Sequence, residues 1–247
     1  MQMTGNTILI TGGASGIGLA LAKRFAARGN TVIASGRRAD VLATAATAVP
    51  GLQTLRADVS SEAGRVALAE EAAQKYPTLN VLVNNAGIQQ RPAPLTQPQD
   101  WYAHKTEIAT NLEAPLHLTI LLLPQLMKAT AATIINVTSG LAFSPLAAMP
   151  TYCLTKAAMH SFTQSLRHQL SATKIDVIEI VPPAVNTDLG GPGLHTFGVD
   201  VDAFADYCFV MLDKGATEFG FGTSEERRLS SHAELAAYFG KMNAPRS

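Results

Sequence analysis

The sequence predicts an α/β protein with one doubly wound domain, in which a parallel sheet carries helices on both faces. Short β-branched runs alternate with longer segments of helical period, and strands buried on both faces and joined by helices form parallel sheets with right-handed crossovers. A glycine-rich turn links the first apolar run directly to the first helical segment. The 247 residues, 47% apolar and 15% charged, suffice for one sizeable core. No repeat, low-complexity tract or Pro/Gly/Ser linker divides them, so residues 1–247 read as a single domain.

Thr7-Ile8-Leu9-Ile10 is the first strand, and a helix follows from about Gly16 to Arg28. Gly29-Asn30 stops that helix before the second strand, Thr31 to Ala34. Leu52 to Ala57 is the third strand, and the Ala-rich segment from Ser61 to Lys75 is a crossover helix. Val81 to Val83 and Ile134 to Val137 are buried strands, separated by a long helical stretch broken near Pro115 and Pro124. Tyr152 to Leu170 is a long helix, and Ile175 to Val181 a sixth strand. Gly190-Gly191-Pro192-Gly193 lies in a variable loop at about 188–200, and a polar helical stretch follows Gly222.

Nineteen Lys and Arg balance nineteen Asp and Glu, and this neutrality argues against a nucleic-acid partner. The balance is uneven along the chain. Residues 1–56 hold six cations and the single anion Asp40, and the remainder is correspondingly acidic. Cys153 and Cys208 make no disulfide framework, and no Cys or His spacing suits a metal. Leu116 to Met127 is too short and too polar to span a bilayer, and the N-terminus has no leader pattern. These features predict a cytoplasmic protein with no metal and no membrane partner.

Thr11-Gly12-Gly13-Ala14-Ser15-Gly16-Ile17-Gly18 joins strand to helix. Glycines let the backbone approach a pyrophosphate, and the helix start presents unpaired N–H groups and a partial positive charge. The second strand runs into Ser35-Gly36-Arg37-Arg38, where an NAD-binding fold usually places an acid for the ribose 2′-hydroxyl. Guanidinium groups suit a 2′-phosphate instead, so NADP(H) is favoured and NAD(H) is the alternative. The bland reading makes Arg37 and Arg38 solvated strand-end charges.

Asn84-Asn85-Ala86-Gly87 follows the fourth strand, Ser139 the fifth, and Tyr152 and Lys156 stand four apart on one helix face. A phenol is a poor acid/base at neutrality, and a neighbouring ammonium is expected to lower its pKa. Ser139, at the C-terminal end of a strand, is placed to hydrogen-bond a carbonyl or alcohol oxygen. Taken singly, a Tyr…Lys pair is a packed ring beside a solvated amine, and a Ser after a strand is a turn residue.

Taken together, Thr11 to Gly18, Asp58-Val59, Asn84 to Gly87, Asn111, Ser139, Tyr152, Lys156 and Thr187 make the chain resemble the short-chain dehydrogenase/reductase family over about residues 5–190. The resemblance implies a Rossmann-type sheet and hydride transfer between a nicotinamide and a carbonyl or alcohol carbon. It implies Tyr152 as acid/base, Lys156 as the ribose contact that tunes Tyr152, Ser139 on the substrate oxygen, and Asn111 in a water-linked relay. Cofactor contacts are implied at Gly12, Ser15, Gly16, Ile17 and Gly18, at Asp58 and Val59 by the adenine, and at Asn85, Ala86 and Gly87 along the ribose. Pro182, Val185 and Thr187 are implied near the nicotinamide. Pro182-Pro183 replaces the family's usual Pro-Gly, which stiffens that loop. Residues 217–247 lack the common Tyr-Val-Thr-Gly strand ending and resemble a bacterial subgroup found near cell-wall D-alanylation genes.

Gln89-Gln90-Arg91, Leu141-Ala142-Phe143 with Leu146, and Leu189 to Phe197 are the candidate substrate loops. They are mostly apolar, which favours a hydrophobic ketone or aldehyde. A non-catalytic redox sensor or a scaffold on the same fold is the alternative function. Surplus apolar residues at Leu112–Met127 and Tyr152–Leu170 point to self-association unless the C-terminal segment covers them, and the resemblance implies a homodimer or homotetramer through these two helices.

Overall fold

The computed structural model describes residues 1–244. Seven parallel strands form one sheet in the order β3-β2-β1-β4-β5-β6-β7. They are β1 (Thr7–Thr11), β2 (Thr31–Gly36), β3 (Gln53–Arg56), β4 (Leu79–Asn84), β5 (Ala132–Val137), β6 (Ile175–Val181) and β7 (Glu218–Gly220). Strand order reverses direction between β1 and β4, and open α/β sheets bind their ligands at the carboxyl ends beside such a reversal.

Alternation along each strand feeds two cores. Ile8 and Ile10 of β1 join Leu21 and Phe25 of α1 (Gly16–Ala27), Leu42 of α2 (Ala39–Ala48) and Phe204 of α7 (Val201–Asp213). Leu9, between them, faces the other way with Leu68 of α3 (Glu62–Lys75), Leu118 of α5 (Ala114–Leu126) and Leu166 of α6 (Pro150–Gln169). Helices therefore cover both faces, as the apolar runs predict.

The stretch between β4 and β5 departs from expectation. It holds α4 (Trp101–Ile108), a π-helical turn (Ala109–Glu113) and α5, all continuous in direction. Pro115 sits in the first turn of α5, directly after the π-helical turn that ends with Ala114 N–H bonded to Ala109 O. Pro124 lies inside α5 without ending it, because the bond it forgoes is to the carbonyl of Ile120 on the exposed side. The segment from Glu218 to Gly220 is a true edge strand, paired with Glu179–Val181, followed by α8 (Thr223–Leu229) and α9 (His232–Met242). These helices cover residues 143–147: Ser144 Oγ donates to Leu235 O, and Asn243 bonds Ala147 N and Pro145 O. Ile120 and Leu154 stay exposed, so among the described residues the C-terminal segment leaves these positions of α5 and α6 uncovered. Residues 245–247 of that segment lie outside the described residues. No described helix is long and apolar enough to cross a membrane.

Candidate active site

The glycine turn is bound to the turn after β4. Thr11 Oγ1 accepts from the N–H groups of Asn85 and Ala86, each at 3.0 Å, and Asn85 Nδ2 donates to Thr11 O at 2.9 Å. Gly12 has φ +64°, and a Cβ on Gly18 would meet Gly12 O at 2.3 Å, so the turn needs both glycines. Ser15 caps α1 without a side-chain bond, and no acid occupies the first helical turn. The first N–H groups around Gly16 and Ile17 are thus open to an anion. Thr187, on the loop after Pro182 and Val185, leans over this turn: a Cβ on Gly16 would lie 3.3 Å from its methyl group.

At the end of β2, Arg37 and Arg38 are exposed, and their guanidinium groups have no ion-pair or hydrogen-bond partner among the described residues. Asp58 caps its own turn by accepting from Ser60 N and Oγ, while the Val59 side chain is buried in the core, leaving its backbone for any ligand.

Ser139, Tyr152, Lys156 and Asn111 are all more than nine-tenths buried. Ser139 follows β5 and its Oγ accepts from Leu141 N at 3.1 Å. Tyr152 and Lys156 share a face of α6, with Nζ 5.6 Å from the phenol ring centre and donating to Val137 O at 2.9 Å. Asn111 sits in the π-helical turn, where its amide pairs with both the N–H and the C=O of Ile88 at 2.8 Å. Gly87 adjoins both, since a Cβ there would lie 3.5 Å from Asn111 Oδ1 and 3.8 Å from Lys156 Nζ. The structure gathers all four residues beside the Asn85–Gly87 turn.

Burial dominates the electrostatics. It pushes the Tyr152 phenol above its ordinary range, against a pull downward from the Ser139 hydroxyl. The expected lowering by Lys156 does not set the direction here, because desolvation is the largest influence on the phenol. Burial lowers Lys156 to about 8, opposed by the carboxylates of Glu107 and Glu179. Those two acids escaped the sequence reading. Glu107, one turn before Asn111, accepts from Gln90 N at 2.9 Å, and burial raises its pKa. Glu179 accepts from Thr138 Oγ1 at 2.7 Å and contacts His160 Nδ1 at 2.9 Å. A charged residue within the otherwise apolar run 177–181 was the available signal for Glu179.

A small apolar cluster of Met149, Tyr152 and Cys153, with Leu141, Leu146 and Leu189 against it, lines the approach to the phenol. Cys153 packs there as a buried thiol, and Arg91 is exposed.

Known proteins match this architecture. The family described as short chain dehydrogenase matches residues 6–194. DltE, an uncharacterized oxidoreductase of Bacillus subtilis strain 168, is 44% identical over 248 residues and covers 98% of each chain. That span takes in the C-terminal segment and agrees with the subgroup this segment resembles. A short-chain dehydrogenase from Burkholderia cenocepacia J2315 in complex with NADP has a TM-score of 0.85 at 25% identity, over 99% of this chain and 100% of its own. One from Sphingobium yanoikuyae with NADPH has 0.79 at 27% identity, over 96% and 93%.

Proposed function

The chain belongs to the short-chain dehydrogenase family, and on that premise we propose that this oxidoreductase uses NADP(H) to interconvert a carbonyl and a secondary alcohol. Reduction of a hydrophobic ketone or aldehyde is the favoured direction. One observation carries the reading: Ser139, Tyr152, Lys156 and Asn111, from three different elements, are buried together beside a glycine cradle. The whole chain acts as one catalytic domain, with substrate choice in the loop at about 188–200 and in the C-terminal segment.

The residues present fit the dinucleotide. A side chain at Gly18 would fill the cradle, the start of α1 offers unpaired N–H groups, and Arg37 and Arg38 are free to take a 2′-phosphate. Gly12, Ser15, Gly16, Ile17 and Gly18 hold the pyrophosphate, and Asp58 and Val59 border the adenine. Asn85, Ala86 and Gly87 line the ribose, and Pro182, Val185 and Thr187 border the carboxamide end. NAD(H) remains the alternative.

When bound, the nicotinamide supplies the hydride. Ser139 Oγ donates a hydrogen bond to the carbonyl oxygen, and Tyr152 Oη gives that oxygen its proton as the alkoxide forms. Burial holds the Tyr152 phenol in its neutral form, the form that carries the proton to be given. Lys156 orients the ribose, and its ammonium supports the charge left on Tyr152 Oη. Asn111 fixes the Ile88 backbone and supports the water-linked relay to Lys156 that restores the proton. The leucines around Tyr152 exclude water from an apolar substrate. Exposed Ile120 and Leu154 support homo-oligomer formation through α5 and α6.

The test is Tyr152→Phe assayed by NADPH oxidation with a panel of ketones and aldehydes. Turnover is expected to fall about 10²- to 10⁴-fold with NADPH affinity retained. A variant with full turnover overturns the assignment.

A further inference from the structure

We propose that Gln89 and His195, with Arg91 beside them, recognise a carboxylate that the substrate carries several bonds from its carbonyl. The proposal rests on the carbonyl-reductase reading and names the substrate class of that site.

Gln89 is 8% exposed, its amide makes no hydrogen bond among the described residues, and Oε1 is fully enclosed without a partner. Buried amides are ordinarily paired, so an unpaired one demands a reason. Looseness is not the reason, because the backbone on either side is clamped. Ile88 N–H donates to Asn111 Oδ1 at 2.8 Å and Gln90 N–H to Glu107 Oε1 at 2.9 Å. Two side chains one helical turn apart thus hold the residues on either side of Gln89.

The segment leads away from the reacting centre. Gly87 adjoins Lys156, and two residues carry the chain at most about 7 Å further to Gln89. There the loop after Thr187 crosses it: a Cβ on Gly190 would lie 2.9 Å from Gln89 O and 3.7 Å from Oε1. The preceding residue, Leu189, packs on the cluster that contains Tyr152. Gln89 therefore lies between the catalytic residues and the loop that covers them.

That loop brings a second unmet polar group. His195 is 6% exposed, its Nδ1 has no partner among the described residues, and its ring edge rests on Phe197. Burial and the Arg91 charge hold the imidazole below its ordinary pKa, so it is neutral with one N–H to give. No protein partner orients the Gln89 amide, so its NH₂ end is free to face a ligand. The Gln89 NH₂ group and the imidazole N–H, with the Arg91 charge acting on the imidazole, match a carboxylate: the two N–H donors fix the oxygens and Arg91 offsets the charge. Leucines near Tyr152 then hold the apolar chain between the two functional groups.

The experiment uses the full chain with NADPH and methyl-ketone carboxylates of increasing chain length. Each acid is paired with its primary amide and with the unfunctionalised ketone. One acid is expected to exceed its amide in kcat/KM by about tenfold or more, and Gln89→Leu and His195→Leu to bring that ratio toward one. Gln89→Glu, which keeps the size and adds a negative charge, is expected to favour the amide. Equal or better turnover of the amides, or an acid preference surviving both leucine variants, overturns the proposal. Calorimetric titration of the same compounds into the NADP⁺-loaded protein separates the two readings. Acid binding lost in Gln89→Leu without any turnover sinks the reductase reading alone. Turnover of neutral ketones with no preferential binding of acids sinks the carboxylate site alone.

Discussion

Substituting Gly18 by Ala tests the cradle with a magnitude taken from the packing. The new Cβ would stand 2.3 Å from Gly12 O and 2.5 Å from Asn85 Nδ2. Neither neighbour yields readily. Gly12 is backbone in a left-handed conformation, and the Asn85 amide is tied to Thr11 O and Gly12 O. Restoring ordinary contact moves the turn by about 1 Å, and overpacking of this kind costs about 1–3 kcal/mol. For a chain of this size each kcal/mol lowers Tm by about 2–4 °C. Gly29→Ala is the control, because Gly29 has φ +76° with open space around it and pays only conformational strain. The two variants should melt below the parent, but only Gly18→Ala displaces the N–H groups that face a pyrophosphate. Its NADPH affinity, read by fluorescence titration, should fall about tenfold or more, since a 1 Å misplacement at a site is costly. If Gly18→Ala binds NADPH like the parent and melts with Gly29→Ala, the packing argument is refuted.

Arg37→Ala is expected to weaken NADPH much more than NADH, and equal loss for both would remove Arg37 from the 2′-phosphate. His160 is held above its ordinary pKa, chiefly by its hydrogen bond to Glu179. A raised folded pKa means that the contribution is complete below the unfolded value of about 6.5 and is lost as pH rises through the folded one. Urea midpoints should therefore decline across that window, and His160→Gln should flatten the decline; an unchanged slope contradicts it.

The six longer strands were legible because each rests on local pattern, whereas the gathering of Ser139, Tyr152, Lys156 and Asn111 was legible only through the family resemblance that their joint occurrence carries. Apolar runs mark strands, and helical spacing places Tyr152 and Lys156 on one face. The parts that were not legible depend on distant partners. Glu218–Gly220 is a three-residue strand that pairs with β6, some forty residues earlier in the chain. The π-helical turn that aims Asn111 at Ile88 has no local signature. Glu107 reads as one more polar residue on a surface helix until the Gln90 N–H arrives to pair with it. Tyr152 shows the same limit, since its spacing from Lys156 implies a lowered pKa, whereas burial decides the sign.

The uneven charge of the chain acquires a different meaning once pairing is known. Of the six cations in residues 1–56, Arg24 is committed to Asp202 and Asp206, and Arg28 to Asp213, all on α7. The basic excess of the first quarter is thus partly consumed in fastening α1 to an acidic helix far along the chain. Exposed pairs of this kind add little stability, but they remove two guanidinium groups from the field over the nucleotide end. Arg37 and Arg38 are not consumed, and they stand at the carboxyl end of β2, next to the glycine turn. Around Lys156 the acidic remainder of the chain does the converse, placing Glu107 and Glu179 where burial would otherwise strip the ammonium of its proton. Neutrality overall therefore conceals two local groupings of charge of opposite sign, one open to a phosphate and one closed around a buried cation.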